Sequence, residues 1–360
     1  MSPMNIPAII ILVPNRVWRT YPGGKTLDEL EGKPKPEDSH FAEDWIASTT
    51  LAVNKGREAQ GEGYSKVEIN RKIYLLKELM EEYPLEILGE KHYKKYGSNT
   101  QFLLKFLDAA IRLHIQAHPT IPFALKHLNS NSGKTEAYVI LEIRKEFSDP
   151  YIYLGFQHPT SKEDFKQAVL SQNVDRILSC FEKIYIQPGD VFIVPGGLPH
   201  AIGEAVFMIE IMEPSDFAVR LEFERGGYTL PEEARFMGRG IDFAMGMIEF
   251  KQLPFEQVRQ QYFCKPVLVH QESNYEEFIL IGKEQTSCFS VNKLKITGKY
   301  TRKSDNFHVG IVTRGNGIIL AGTESVTIKK GDKFLIPYKT KTVTYAASDE
   351  LEIVMTWKED

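Results

Sequence analysis

Cysteine is scarce in this chain: Cys180, Cys264 and Cys288 are the only three among 360 residues, far apart and in no CxxC pair. So odd and sparse a set excludes a disulfide framework and fits a reducing, cytoplasmic setting. Long hydrophobic runs are missing too. The N-terminal stretch IPAIIILVP is too short to span a bilayer and has no basic leader, so it reads as a buried strand. Positive charge is not in surplus either. A net charge of −4 gives no reason to expect nucleic acid or an anionic membrane as partner. Any site for an anionic substrate must be a local basic pocket.

What is present is ordinary for a soluble protein: 42% hydrophobic and 26% charged residues. The length allows about two domains. Residues 14–60 are loop-rich, with PNRVWRTYPGGK and GKPKPEDSH as turn clusters. From residue 70 to 88, Ile73, Leu76, Leu79, Met80 and Tyr83 recur at helical spacing up to Pro84, and a second short helix ends at Gly97. Then alternating apolar runs predict strands: QFLLKFLDAAIRLHIQAHPT, EAYVILEI, YIYLGF, IYIQPGDVFIVPGGLPHAI and FMIEIMEPSDFAVRLEFE. PFALKHLN is a helical excursion among them. Residues 161–182 read as helix in two pieces, opened by a Ser/Thr capping box and broken near Asn173. Beyond Phe250 only short strands and turns are expected.

Two segments echo one another. QPGDVFIVPGGLPHAIG and KKGDKFLIPYKTKTVTY share Gly-Asp-x-Phe-[Leu/Ile]-x-Pro, a repeat at domain scale that suggests two related β-barrels. The second copy lacks the histidine of the first, so it is expected to bind no metal. The chain is therefore expected to be mainly β. N-terminal strands and loops (1–65) contribute to the first barrel, a helical segment follows (66–99), then the site-bearing barrel (100–248) and a degenerate second one (249–360). The surface of the second barrel either packs on the first or joins two copies of the chain as a homodimer.

Within LHIQAHPT, His114, Gln116 and His118 alternate with Ile115 and Ala117, so in a strand they share one face. Gln116, His118, Glu136 and His200 form a ligand set of two imidazoles, a carboxylate and an amide oxygen, suited to zinc or another divalent metal. The glycines of VPGGLP, just before His200, allow backbone to approach closely. A lone histidine in a β-core is more often structural, and it is the ordered combination that carries the reading.

The segments FLLKFLDAAIRLHIQAHPT, GKTEAYVI, GDVFIVPGGLPHAIG and EPSDFAVRLEFER resemble the type I mannose-6-phosphate isomerases, zinc-dependent cupins. NRVWRTYPGG and AEDWIAST resemble the N-terminal segments of the shorter bacterial members. The resemblance implies two jelly-roll barrels with a helical insertion, and one zinc per chain on Gln116, His118, Glu136 and His200. It also implies a catalytic arginine at Arg220, a lysine at Lys134 and an acid at Asp216. The implied activity is interconversion of mannose 6-phosphate and fructose 6-phosphate through an enediol. That chemistry needs an electrophile at the sugar oxygens, a base near the carbon and an anchor for the phosphate. Arg220 either steadies the enediolate or clamps phosphate, and Lys134 either serves as base or holds phosphate. Trp45 either lines the sugar pocket or packs in the core, and Asp216 either joins the site or caps its own turn.

The family usually has serine where this chain has His114, and the motif HPT stands where HPD is more frequent. Small, polar Thr120 should leave metal binding unaffected. His114 is taken as a phosphate or hydroxyl contact. Alternatively it signals another, unphosphorylated sugar, or touches the metal. Two other functions stay open: an iron-dependent oxygenase, against which Lys134, Arg220 and the absence of an HxH pair count, and a non-catalytic sugar-binding protein.

Overall fold

The computed structural model describes residues 4–54 and 56–359; residues 1–3, 55 and 360, at the edges of the expected segments or within them, lie outside it. Two antiparallel sheets carry the site. The larger runs Val191–Val194, Glu136–Ile143, Val206–Met212, Leu103–Asp108, Glu43–Ile46, Arg16–Val17. The smaller runs Ile184–Tyr185, Tyr151–Leu154, His200–Ile202, Gln116–Ala117, Val219–Arg220. Glu136 on the larger sheet meets His200 on the smaller, so the two lie face to face. The strands of the larger sheet are buried almost throughout, which is why they read as near-continuous apolar runs.

The second β-domain is one nine-stranded assembly built around two long, paired strands, His308–Ala321 and Thr342–Trp357. The first half of Thr342–Trp357 pairs with Lys299–Lys303 and the second half with Ser290–Ile296, so a single strand serves two layers.

The helical pieces sit where caps place them. Ser161 accepts from the backbone of Asp164 to open Lys162–Leu170, and Asn173 accepts from Arg176 to open Val174–Leu178. Thr120 accepts from Phe123 N at 3.2 Å and caps Ile121–His127. Its role is to start a helix directly after the His118 loop. No helix among the described residues is long and apolar enough to cross a membrane.

Three expectations need correction. Residues 66–75 are a hairpin, Lys66–Ile69 with Lys72–Leu75, and helix begins only at Leu76. Asn70 and Arg71 both have positive φ, 53° and 65°, which makes the tight two-residue turn that twisted strands favour. Ile73 is exposed and takes no part in the helical stripe. The N-terminal segment does not serve the first barrel alone, since Ile10–Ile11 pairs with Phe334 and Leu335 of the second. Ile9 is buried in the second domain's own core, whereas Ile6, Ile10 and Leu12 join the main core, which draws on both domains. Finally, Phe255–Tyr262 is a helix, burying Val258 and Tyr262 four apart, inside the stretch read as strands and turns.

Candidate metal centre

His118, Glu136 and His200 converge, with one ligand atom from each lying within 4.8 Å of the others. Three local devices bring them together. Antiparallel pairing sets His200 opposite Gln116, and Gln116 opposite Arg220. Pairing in the other sheet sets Glu136 opposite Val194. The loops are then pressed together: a Cβ on Gly196 would come within 2.5 Å of Pro119 O, and one on Gly133 within 2.6 Å of the same atom. Only glycine permits that approach.

The histidines are held as metal ligands need to be. His118 Nδ1 lies 2.8 Å from Phe217 O and His200 Nδ1 lies 2.8 Å from Leu198 O. A carbonyl can only accept, so both Nδ1 atoms carry a proton and both Nε2 atoms face Glu136. The gaps are 3.1 Å from His118 Nε2 to Glu136 Oε1 and 3.4 Å from His200 Nε2 to Glu136 Oε2. Burial and then the Lys134 ammonium press the His118 imidazole down to about 3, so it is neutral at physiological pH. Burial pushes the Glu136 carboxyl up, but its neighbours, the Lys134 ammonium among them, outweigh burial and hold the group well below the usual carboxylate range. Tyr138 OH donates to Glu136 Oε2 at 2.7 Å, whereas the fully buried Oε1 accepts no hydrogen bond. A buried carboxylate flanked by two imidazoles suits a divalent cation.

Gln116 stands beside the group, its side-chain amide 3.4 Å from His200 Nε2. Turning the amide about its axis points the oxygen at the same space. Lys134 Nζ lies 3.2 Å from Glu136 Oε1 and 3.3 Å from His118 Nε2. Its backbone is clamped on both sides, because Glu213 accepts from Gly133 N at 2.9 Å and from Thr135 N at 3.0 Å.

Beside the triad lies a narrow cavity of about 20 Å³ that His114, Gln116, Lys134 and Arg220 help to line. His114 and Gln116 therefore do share a face. Among the described residues Arg220 donates one hydrogen bond, a long one of 3.3 Å to Ala234 O, and has no carboxylate within ion-pair distance. Two expected lining residues are elsewhere. Trp45 is wholly buried in a small apolar cluster with Leu103 and Met212, its indole N–H donating to Glu43 at 2.7 Å. Large and apolar, it gains more from that burial than from a half-wet pocket wall. Asp216 is absorbed by Arg19, which grips both its oxygens at 3.1 Å, and by Val53 N at 2.9 Å. Burial opposes its ionisation, yet Arg19 holds it well below the ordinary range. It fixes Arg19 rather than facing the cavity.

Sequence reading missed the cavity's floor. Lys105 lies 3.3 Å from Glu43 and 3.1 Å from Glu210, with Arg19 and Tyr21 also reaching Glu43. Burial and then the neighbouring Glu136 charge raise the Glu210 carboxyl well above its usual range. The signal was there: a lone lysine in FLLKFLD and a lone glutamate in FMIEIM, each at the centre of an apolar strand.

Comparisons with known proteins converge. Residues 13–136 match the family model described as phosphomannose isomerase type I, catalytic domain, and residues 283–355 match mannose-6-phosphate isomerase, cupin domain. Mannose-6-phosphate isomerase ManA of Bacillus subtilis is 28% identical over 71% of this chain and 76% of its own. The Streptococcus mutans mannose-6-phosphate isomerase is 26% identical over 75% and 79%. Among solved structures, the mannose 6-phosphate isomerase from Bacillus subtilis superposes with a TM-score of 0.75 at 21% identity, covering 97% of this chain and 99% of that one. A mannose 6-phosphate isomerase bound with zinc and yttrium superposes at 0.71 with 15% identity, covering 98% and 100%. At those identities the superpositions establish the two-cupin fold.

Proposed function

This chain belongs to the type I phosphomannose isomerases, and from that premise we propose that it interconverts mannose 6-phosphate and fructose 6-phosphate. The single observation that supports this most is the grouping of His118, Glu136 and His200, their ligand atoms within 4.8 Å of one another, beside Lys134 and Arg220. His118, Glu136 and His200 would hold zinc, with Gln116 as the fourth protein ligand. Zinc there would supply Lewis acidity toward the sugar's carbonyl and hydroxyl oxygens.

The remaining tasks fall to the chain's own groups. Isomerisation carries a proton between C2 and C1 while negative charge builds on the oxygens. Lys134, rigidly held by the Glu213 clamp, is the ammonium nearest the ligand set. It either moves the proton or steadies the charge. Arg220 is the lining cation least committed to other partners, which fits it to clamp phosphate or enediolate oxygen. The cavity as it stands is too narrow for a sugar phosphate, so Arg220 exchanging its long bond to Ala234 for a bond to substrate is part of entry.

The test is proton exchange. Zinc-loaded protein with mannose 6-phosphate in heavy water should lose the C2 proton signal and form the ketose. Chelator should stop both, and added zinc should restore them. Saturable binding with no exchange, or oxygen uptake with iron, would sink the proposal.

A further inference from the structure

Glu213 is a buried carboxylate with no cation within ion-pair distance among the described residues. A charge in that position is costly unless strong donors meet it. Both of its oxygens serve one short segment. Oε2 accepts from Gly133 N at 2.9 Å and Oε1 from Thr135 N at 3.0 Å, the two amides that flank Lys134. The amide between them is held from elsewhere, since Lys134 N donates to Pro119 O at 2.9 Å. Gly133 O is fixed as well, accepting from the buried Ser215 Oγ at 2.6 Å.

The metal ligands have supports of their own. Glu136 opens its strand paired on both sides, opposite Val194 and opposite Met212. Phe217 O fixes the His118 ring and Leu198 O the His200 ring. Gly133 and Lys134 precede the strand and have no ladder, so they rely on Glu213, Ser215 and Pro119 O. What this bracing sets is the place of Lys134 Nζ, 3.2 Å from Glu136 Oε1 and 3.3 Å from His118 Nε2.

We propose, resting on the isomerase reading above, that Glu213, with Ser215 beside it, is a positioning residue that acts through Lys134 and not through the metal. A misplacement of about 1 Å at a group that moves a proton or steadies charge costs about a hundredfold in rate. Glu213→Ala frees both amides and should lower kcat by about that factor. Glu213→Gln keeps one acceptor oxygen and should lose only about tenfold. KM should stay within about twofold, because the aim of Lys134 matters most in the transition state.

The experiment measures kcat, KM and zinc per chain for wild type, Glu213→Gln, Glu213→Ala and Ser215→Ala, each alone and combined with Lys134→Ala. Slow variants are read by exchange of the C2 proton of mannose 6-phosphate in heavy water. Zinc content should be the same throughout, and Glu213→Ala should cause no further loss once Lys134 is gone. Ser215→Ala frees only Gly133 O and should lose less than Glu213→Ala. It reads the same bracing if the Glu213 variants fail to fold. An equal loss with and without Lys134 marks a merely structural role and overturns the inference. So does a loss that tracks zinc content, or a Glu213→Ala protein as fast as wild type. A wild type with no turnover of the sugar overturns the isomerase reading itself, and this inference with it.

Discussion

In the first β-domain Glu136 pairs with Val194; in the second, the matching place opposite Ile336 is held by His308. The repeated Gly-Asp-x-Phe segments set the correspondence, and it extends across both sheets. Lys105 opposite Glu210 becomes Asn292 opposite Met355, and Glu43 opposite Leu107 becomes Glu277 opposite Leu294. Each interior thus keeps polar side chains, and the difference lies in how they are satisfied. In the second domain most of them gather around one carboxylate, although His308 Nδ1 and Arg302 Nε have no hydrogen-bond partner among the described residues. Glu277 takes Asn292 at 2.7 Å, Arg302 at 3.2 Å and Tyr300 at 3.3 Å, while His308 Nε2 meets Tyr345 OH at 2.8 Å. In the first, His118, Glu136 and His200 bring ligand atoms within 4.8 Å of one another, beside a cavity that His114, Gln116, Lys134 and Arg220 help to line. A polar interior gathered around one carboxylate holds a fold together, and one that groups two imidazoles with a carboxylate suits a metal.

The most severe way to break the comparison is Glu136→Gln. Bound zinc should fall from about one per chain to almost none, and kcat by about a thousandfold or more, because the Lewis acid is lost. Elemental analysis and turnover together check this. Arg220→Ala comes next: metal content should be unchanged while kcat/KM drops about a hundredfold to a thousandfold.

The reverse break belongs to the second domain. Glu277→Gln leaves Arg302 without its carboxylate in a mostly buried site and should cost about 2 kcal/mol in urea unfolding. Zinc content and kcat should not change. A fall in kcat would mean that the second domain is coupled to the site.

Acid sharpens the contrast more gently. Burial, and then Arg302, lowers the His308 imidazole to about 3, below the roughly 6.5 of an unfolded chain. The unfolded state therefore binds the extra proton first. Stability is full above about pH 6.5 and is lost as pH falls toward 3. In metal-free protein, His308→Gln should flatten that decline by about one proton, with the remainder due to groups such as His114 and His118. The smallest effect is expected at Thr120→Ala. Loss of the cap should cost about 1 kcal/mol and leave zinc affinity unaltered.

The sequence alone pointed to the grouping of His118, Glu136 and His200 and to most of the elements around it. Ligand chemistry and strand alternation are local properties, so the grouping of His118, Glu136 and His200 was legible from residue type and spacing, as were the cap at Ser161 and the helix break near Asn173. The repeat likewise announced a second domain. What only the tertiary structure decided was which charges meet. Lys105, Glu43 and Glu210 come from three strands far apart in the chain, and Arg19 and Asp216 are 197 residues apart. The exchange of Ile10–Ile11 into the second sheet was equally invisible, because an apolar run says that it will be buried and not against which neighbour. The same holds for His114: its alternation put it on the right face, but the fixed carbonyl of Glu222 decides which nitrogen carries the proton.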